Sequence, residues 1–95
     1  MNRMIDLDAK VRSLVERKVP RKDIVSELDA IASAAESRAK RFERAKKKGD
    51  RYRADTERAL SARVGRILFF LYLGMPAQGA TDADRQLYDL LKTLS

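Results

Sequence analysis

The chain has 95 residues, with 21 Lys+Arg against 14 Asp+Glu, a formal net charge of +7. That length suits one domain and not two; 44% hydrophobic and 37% charged residues exclude both a fully disordered chain and a membrane-embedded one. With no Cys and no His, disulfides, thiolate chemistry and the usual neutral-pH proton carrier and metal ligand are absent.

Helical periodicity runs the length of the sequence. Leu7, Val11, Leu14 and Val15 recur at i, i+4, i+7 and i+8, one face of an amphipathic helix. Asp6 is its expected N-cap. The segment before it, Met1 to Asp6, places an acid where a secretion signal needs an apolar run. Pro20 disfavours helical backbone at Val19 and suits the first turn of a new helix. A second helix is predicted from about Pro20 to Lys48, with the stripe Val25, Leu28, Ile31/Ala32, Ala35, Ala39 and Phe42. Ala30, Ala32, Ala34 and Ala35 make its middle thin, so a neighbouring helix can approach closely.

Gly49-Asp50 is the next break, with Gly suited to a left-handed C′ position and Asp to an N-cap. A third helix follows from about Arg51 to Leu73, with Leu60, Val64, Ile67, Leu68 and Leu71 as its stripe. Gly74-Met75-Pro76 stops it. Thr81 with Asp84 resembles a capping box, Asp replacing the usual Glu. The last helix is predicted over Asp82 to about Leu94, with Leu87, Leu90, Leu91 and Leu94 on one face. Strand signals and internal repeats are absent. The fold class is therefore all-α: one helical domain over 1–95, a small bundle of about four helices built on a long antiparallel hairpin. A continuous helix through Gly49 is the competing topology, since an interior Gly costs only about 1 kcal/mol.

The whole net charge lies in sixteen consecutive residues. Arg38, Lys40, Arg41, Arg44, Lys46, Lys47, Lys48, Arg51 and Arg53 are offset only by Glu43 and Asp50. Helical spacing sets Arg38, Arg41 and Lys48 on one ridge and Lys40, Arg44 and Lys47 on the next, with Arg51 and Arg53 joining at the turn. Tyr52 between the two Arg could stack on a base or a sugar. A patch of this kind attracts polyanions by counterion release. The plain alternative is a solvated helical face, partly neutralised by Glu43 to Lys47 and by the helix dipole.

The remaining motifs carry little chemistry. Asp6/Asp8 and Asp82/Asp84 are close carboxylate pairs, but each sits at a predicted helix start, where acids complement the dipole. Gly74-x4-Gly79-Ala80-Thr81 echoes a phosphate-binding loop but has Ala80 where the Lys belongs, and it follows a helix instead of a strand. Leu14 to Leu28 resembles the first half of a helix-turn-helix. Its second half fails, because Asp29-Ala30-Ile31-Ala32 has no turn residue. The Ser residues have no base partner at a motif spacing, so the chain is expected to be no enzyme, with no metal and no cofactor.

Val64, Ile67, Leu68, Phe69, Phe70, Leu71 and Tyr72 make the end of the third helix apolar nearly all round, which calls for cover on every side. These seven are the expected oligomer interface of a homodimer. The longest apolar run, Ile67 to Leu73, falls far short of the roughly 20 residues a membrane span needs; a soluble, cytoplasmic protein without membrane contact is expected. Two functions fit: a small basic protein that binds the DNA or RNA backbone non-specifically through its cationic tip, or a protein-interaction module (adaptor, chaperone or inhibitor) that docks an acidic protein surface with the same tip.

Overall fold

A computed structural model describes residues 6–45 and 49–94, which form four α-helices: α1 (Leu7–Glu16), α2 (Arg21–Ala45), α3 (Asp50–Leu73) and α4 (Asp82–Leu91). The architecture is the expected all-α bundle, with α2 and α3 packed along each other as a long antiparallel hairpin. Cross-links between the two helices fix the direction: Arg38 Nε donates to Glu57 Oε2 at 2.8 Å near the turn, and Arg21 donates to the Leu71 carbonyl at the far end. Arg21 also places a cation beside the C-terminal carbonyls of α3, the end the helix dipole makes negative. At about 1.5 Å per residue the hairpin is roughly 37 Å long, and it sets the longest dimension of the molecule, 46 Å.

Local sequence explains each helix end. Asp6 caps α1, accepting from the Ala9 amide at 3.1 Å. α1 closes by a Schellman pattern: the Val19 amide donates to the Leu14 carbonyl and the Lys18 amide to the Val15 carbonyl. Lys18 takes the left-handed position, φ 56°, that glycine ordinarily fills. α2 then runs unbroken through Asp29–Ala32, so the helix-turn-helix half-motif is a straight helix after all. Gly49 has φ 87° and occupies the N-cap position of α3. The expected Asp50 cap is thus one residue late: Asp50 is the first helical residue, buried, and paired with Arg53 at 3.3 Å. Gly74 ends α3 at φ 71°, its amide donating to Phe70. The Thr81/Asp84 capping box is formed, both bonds at 3.1 Å, and so Gly74 to Thr81 is a helix stop and a helix start.

The core is concentrated at one end of the hairpin. Leu7, Val11 and Leu14 of α1, Ile24, Leu28 and Ile31 of α2, Val64, Ile67, Leu68, Phe70 and Leu71 of α3, and Leu87, Tyr88 and Leu91 of α4 form a single cluster. Phe70 and Tyr88 stack in it with ring centroids 4.3 Å apart. Ile24, not the predicted Val25, is the buried residue of the first turns of α2; Val25, Leu60, Phe42, Leu90 and Leu94 are half-buried. α2 approaches the turn with only Ala35 and Ala39 buried, and α3 leaves it with Ala54. Small side chains let the two backbones run close but bury little apolar surface, so the tip half of the hairpin is a thin arm projecting from the core.

An ion cluster centred on the buried Asp84 ties α1 and α4 to α3. Arg63 donates Nε to Asp84 at 2.9 Å and forks both terminal nitrogens onto Asp8 at 3.0 and 2.8 Å. Arg66 Nε donates to the second Asp84 oxygen at 2.6 Å. Burial pushes the Asp84 carboxyl up, but hydrogen bonds from Arg66, Arg63 and the Thr81 amide more than offset it, and its pKa lies below the usual value. Asp8 is lowered chiefly by its bonds from Arg63. Arg63 is correspondingly held more firmly protonated, first by Asp8 and then by Asp84. Tyr88 is raised, by burial and then by the charge of Asp84. These acids do more than cap helices, the role their spacing alone suggests.

Candidate polyanion interface at the hairpin tip

The arm ends in the densest positive charge of the sequence, and the structure sorts its residues into two sets. Arg38 is engaged with Glu57. Arg53 lies over the Phe42 ring, 5.9 Å from its centroid, and reaches Asp50. Glu43 is paired with Arg58 of α3; the Lys47 of the expected Glu43–Lys47 pair lies outside the described residues. Three acids near the tip, Glu57, Asp50 and Glu43, are thus engaged by Arg38, Arg53 and Arg58, while Asp55 stays exposed, and the first proposed ridge loses Arg38 to the seam between the helices.

Lys40, Arg41 and Arg44 form the second set. They are exposed and share the face of α2 that points away from the buried stripe Ile31, Ala35 and Ala39. Arg51, in the first turn of α3, is exposed as well. None of these four makes an ion pair among the described residues. The dipole of α2 accounts for a cation near its C-terminus but not for Arg51, which sits where a helix N-terminus disfavours positive charge by a few tenths of a kcal/mol or more. Tyr52 beside it is 77% exposed, its ring open to stacking. Lys46, Lys47 and Lys48, also expected in the site, lie outside the described residues.

A shallow groove between the helices at this end is lined by Phe42, Glu43, Asp50, Arg51, Ala54 and Asp55, with Arg58 at its edge. Its mixed charge and half-apolar floor contain no catalytic constellation, and among the described residues no group of three acidic side chains could hold a metal ion. Among the same residues no helix is long and apolar enough to cross a membrane.

The expected oligomer interface needs correction. Val64, Ile67, Leu68, Phe70 and Leu71 are buried inside the chain itself, covered by α1, α2 and α4. They are core. Only Phe69 and Tyr72 of that set face outward, joined by Leu73 and Met75. The apolar run could not reveal this division, because periodicity disappears when every position is hydrophobic. No family model, no curated protein and no solved structure matches the chain.

Proposed function

We propose that this protein binds the phosphate backbone of DNA or RNA through the tip of its α2–α3 hairpin, without reading base sequence. The reading is carried by one observation: Lys40, Arg41, Arg44 and Arg51 stand exposed at the end of the hairpin and make no ion pair among the described residues, while Glu57, Asp50 and Glu43 are engaged by other Arg residues. Solubility alone calls for mixed signs. Four unpaired cations on a thin arm instead offer several simultaneous phosphate contacts, each releasing condensed counterions. Tyr52 adds a stacking surface for an unpaired base or a sugar.

The test is binding of a fluorescent duplex of arbitrary sequence, followed by anisotropy at stepped salt. With about four phosphate contacts, log affinity should fall with log salt at a slope near −3.6, taking about −0.9 per contact. Changing Lys40, Arg41, Arg44 and Arg51 together to Ala should remove most of that slope and leave the helical signal intact. A wild-type protein that retains neither DNA nor RNA at about 50 mM salt would exclude this function and leave an acidic protein surface as the tip's ligand.

A further inference from the structure

The exposed face of α3 in its second half carries no charge and follows a different rule from the tip. Ala62, Gly65, Phe69 and Tyr72 are all exposed and are spaced three, four and three residues apart, the 3.5-residue repeat of a helix-pairing seam. Arg63 and Arg66 on the same stretch are drawn off this face into their pairs with Asp8 and Asp84. Phe69 is 38% and Tyr72 66% exposed, and the chain continues from them into two further exposed apolar residues, Leu73 at 60% and Met75, just past the Gly74 cap, at 55%. The seam has a gradient of size. Its tip-side half is small, Ala62 and Gly65; its other half is large, Phe69 and Tyr72.

We infer that this face pairs with the same face of a second copy, the two α3 helices running antiparallel about a two-fold axis near Ile67. Antiparallel seams set alternate positions of the two helices opposite each other. In this register Gly65 of each copy lies against Phe69 of the other, and Ala62 against Tyr72. Every large side chain then meets a small one, the complementarity that close packing requires, and the interface is self-complementary as a two-fold demands. A parallel pairing would set Phe69 on Phe69 and Gly65 on Gly65, leaving a bulge beside a gap.

Charge favours the same arrangement. Each copy carries +7, all of it contributed by the tip segment. Antiparallel pairing places the two α3 N-termini roughly 50 Å apart at 1.5 Å per residue, many times the Debye length of about 8 Å at physiological salt. Parallel pairing would bring the two tips side by side. The area is also sufficient. Phe69, Tyr72, Leu73 and Met75 together expose about 400 Å² of side chain per copy, taking roughly 200 Å² for a full side chain of this size. Two copies supply about 800 Å² of apolar surface. At the roughly 65% apolar share of homodimer interfaces this corresponds to about 1,200 Å² in total, the lower bound for a specific interface. The dimer is therefore weak, with a dissociation constant on the order of micromolar. It carries two tips pointing in opposite directions, and it does not depend on what the tips bind.

Sedimentation equilibrium from about 1 to 500 µM tests the association: the mass should rise from 10.8 kDa toward twice that value. Gly65→Arg should hold it at the monomer mass across the range. That variant leaves the fold intact, because a Cβ at Gly65 meets nothing within 4 Å, and circular dichroism reports it directly. The orientation is read by cysteine cross-linking, the natural chain having no Cys. Ala62→Cys and Tyr72→Cys proteins mixed under mild oxidation should form the mixed disulfide, and each alone should stay monomeric on a non-reducing gel. A constant monomer mass for the wild type, a Gly65→Arg protein that is folded and still dimeric, or disulfides between like variants in place of the mixed one would each overturn the proposal.

Discussion

Asp84 is the residue on which the packing of α4 against α3 depends, and removing it has a calculable effect. Its side chain is 0% exposed and accepts from Arg63, Arg66 and the Thr81 amide. Asp84→Ala leaves two guanidinium groups without their buried counter-charge and opens the capping box. Breaking a buried pair by deleting one partner costs about 3–5 kcal/mol. The lower end applies here, since Arg63 keeps its two bonds to Asp8 and both Arg side chains retain partial access to water, 20% and 25%. A loss of about 3 kcal/mol is a large share of the roughly 5–14 kcal/mol available to a domain of this length. At about 4–8 °C per kcal/mol for domains of this size, the thermal midpoint should fall by about 12–24 °C. Asp84→Asn keeps an oxygen for the Thr81 amide but not the charge, and should lie between wild type and Asp84→Ala. Thermal melts followed at 222 nm measure both, at a protein concentration low enough to keep the chain monomeric. A midpoint for Asp84→Ala within about 3 °C of wild type would refute the reasoning, because it would mean the ion cluster stabilises nothing.

The same carboxyls give the fold an acid dependence. Asp8 and Asp84 have folded-state pKa values below the usual carboxylate value, so their contribution is fully present above the unfolded value of about 3.9 and is lost as pH falls through the folded values. Urea midpoints should therefore decline in that acidic window and decline less in Asp84→Asn. Two backbone positions should respond with opposite sign. Lys18 stands in a left-handed conformation at the end of α1, so Lys18→Gly should raise stability by about 1 kcal/mol. Gly49→Ala should lower it by a similar amount, a purely conformational effect because a Cβ there meets nothing within 4 Å; equal midpoints in either pair would count against the left-handed assignment. Ala35→Leu should destabilise by about 1–3 kcal/mol in chemical denaturation, since Ala35 is fully buried and a larger side chain there has no room; a neutral result would mean that the helices are not in close contact there.

The positions of the helices were legible in the sequence because their signals are local. Asp6, Gly74 and the Thr81/Asp84 pair act within one turn of themselves, and each end formed where its residue types require. Gly49 takes the N-cap position of α3 at φ 87°, a left-handed conformation that glycine adopts without a side-chain penalty. The stripe of α1 was read correctly at Leu7, Val11 and Leu14. The candidate site was legible only in part. Composition located the basic segment, but it could not separate Lys40, Arg41, Arg44 and Arg51 from Arg38 and Arg53, whose partners Glu57 and Phe42 come from across the hairpin.

The sequence by itself determined that this chain is a bundle of about four helices, and that its net charge belongs to the segment around Gly49; that the long pair doubles back there, in place of one continuous helix, came from the packing of α2 on α3. The first two follow from properties that act over a few residues: capping, helix propensity, the period of apolar positions and the count of charged side chains. The tertiary structure alone decided three further things. It joined Asp8 and the buried Asp84 in one ionic cluster with Arg63 and Arg66. It divided the apolar end of α3 into a core half and an exposed seam. It chose which cations of the tip are spent on neighbouring acids and which face water. Each of these depends on groups far apart in the chain meeting at distances near 3 Å, and such meetings are set by how the helices pack.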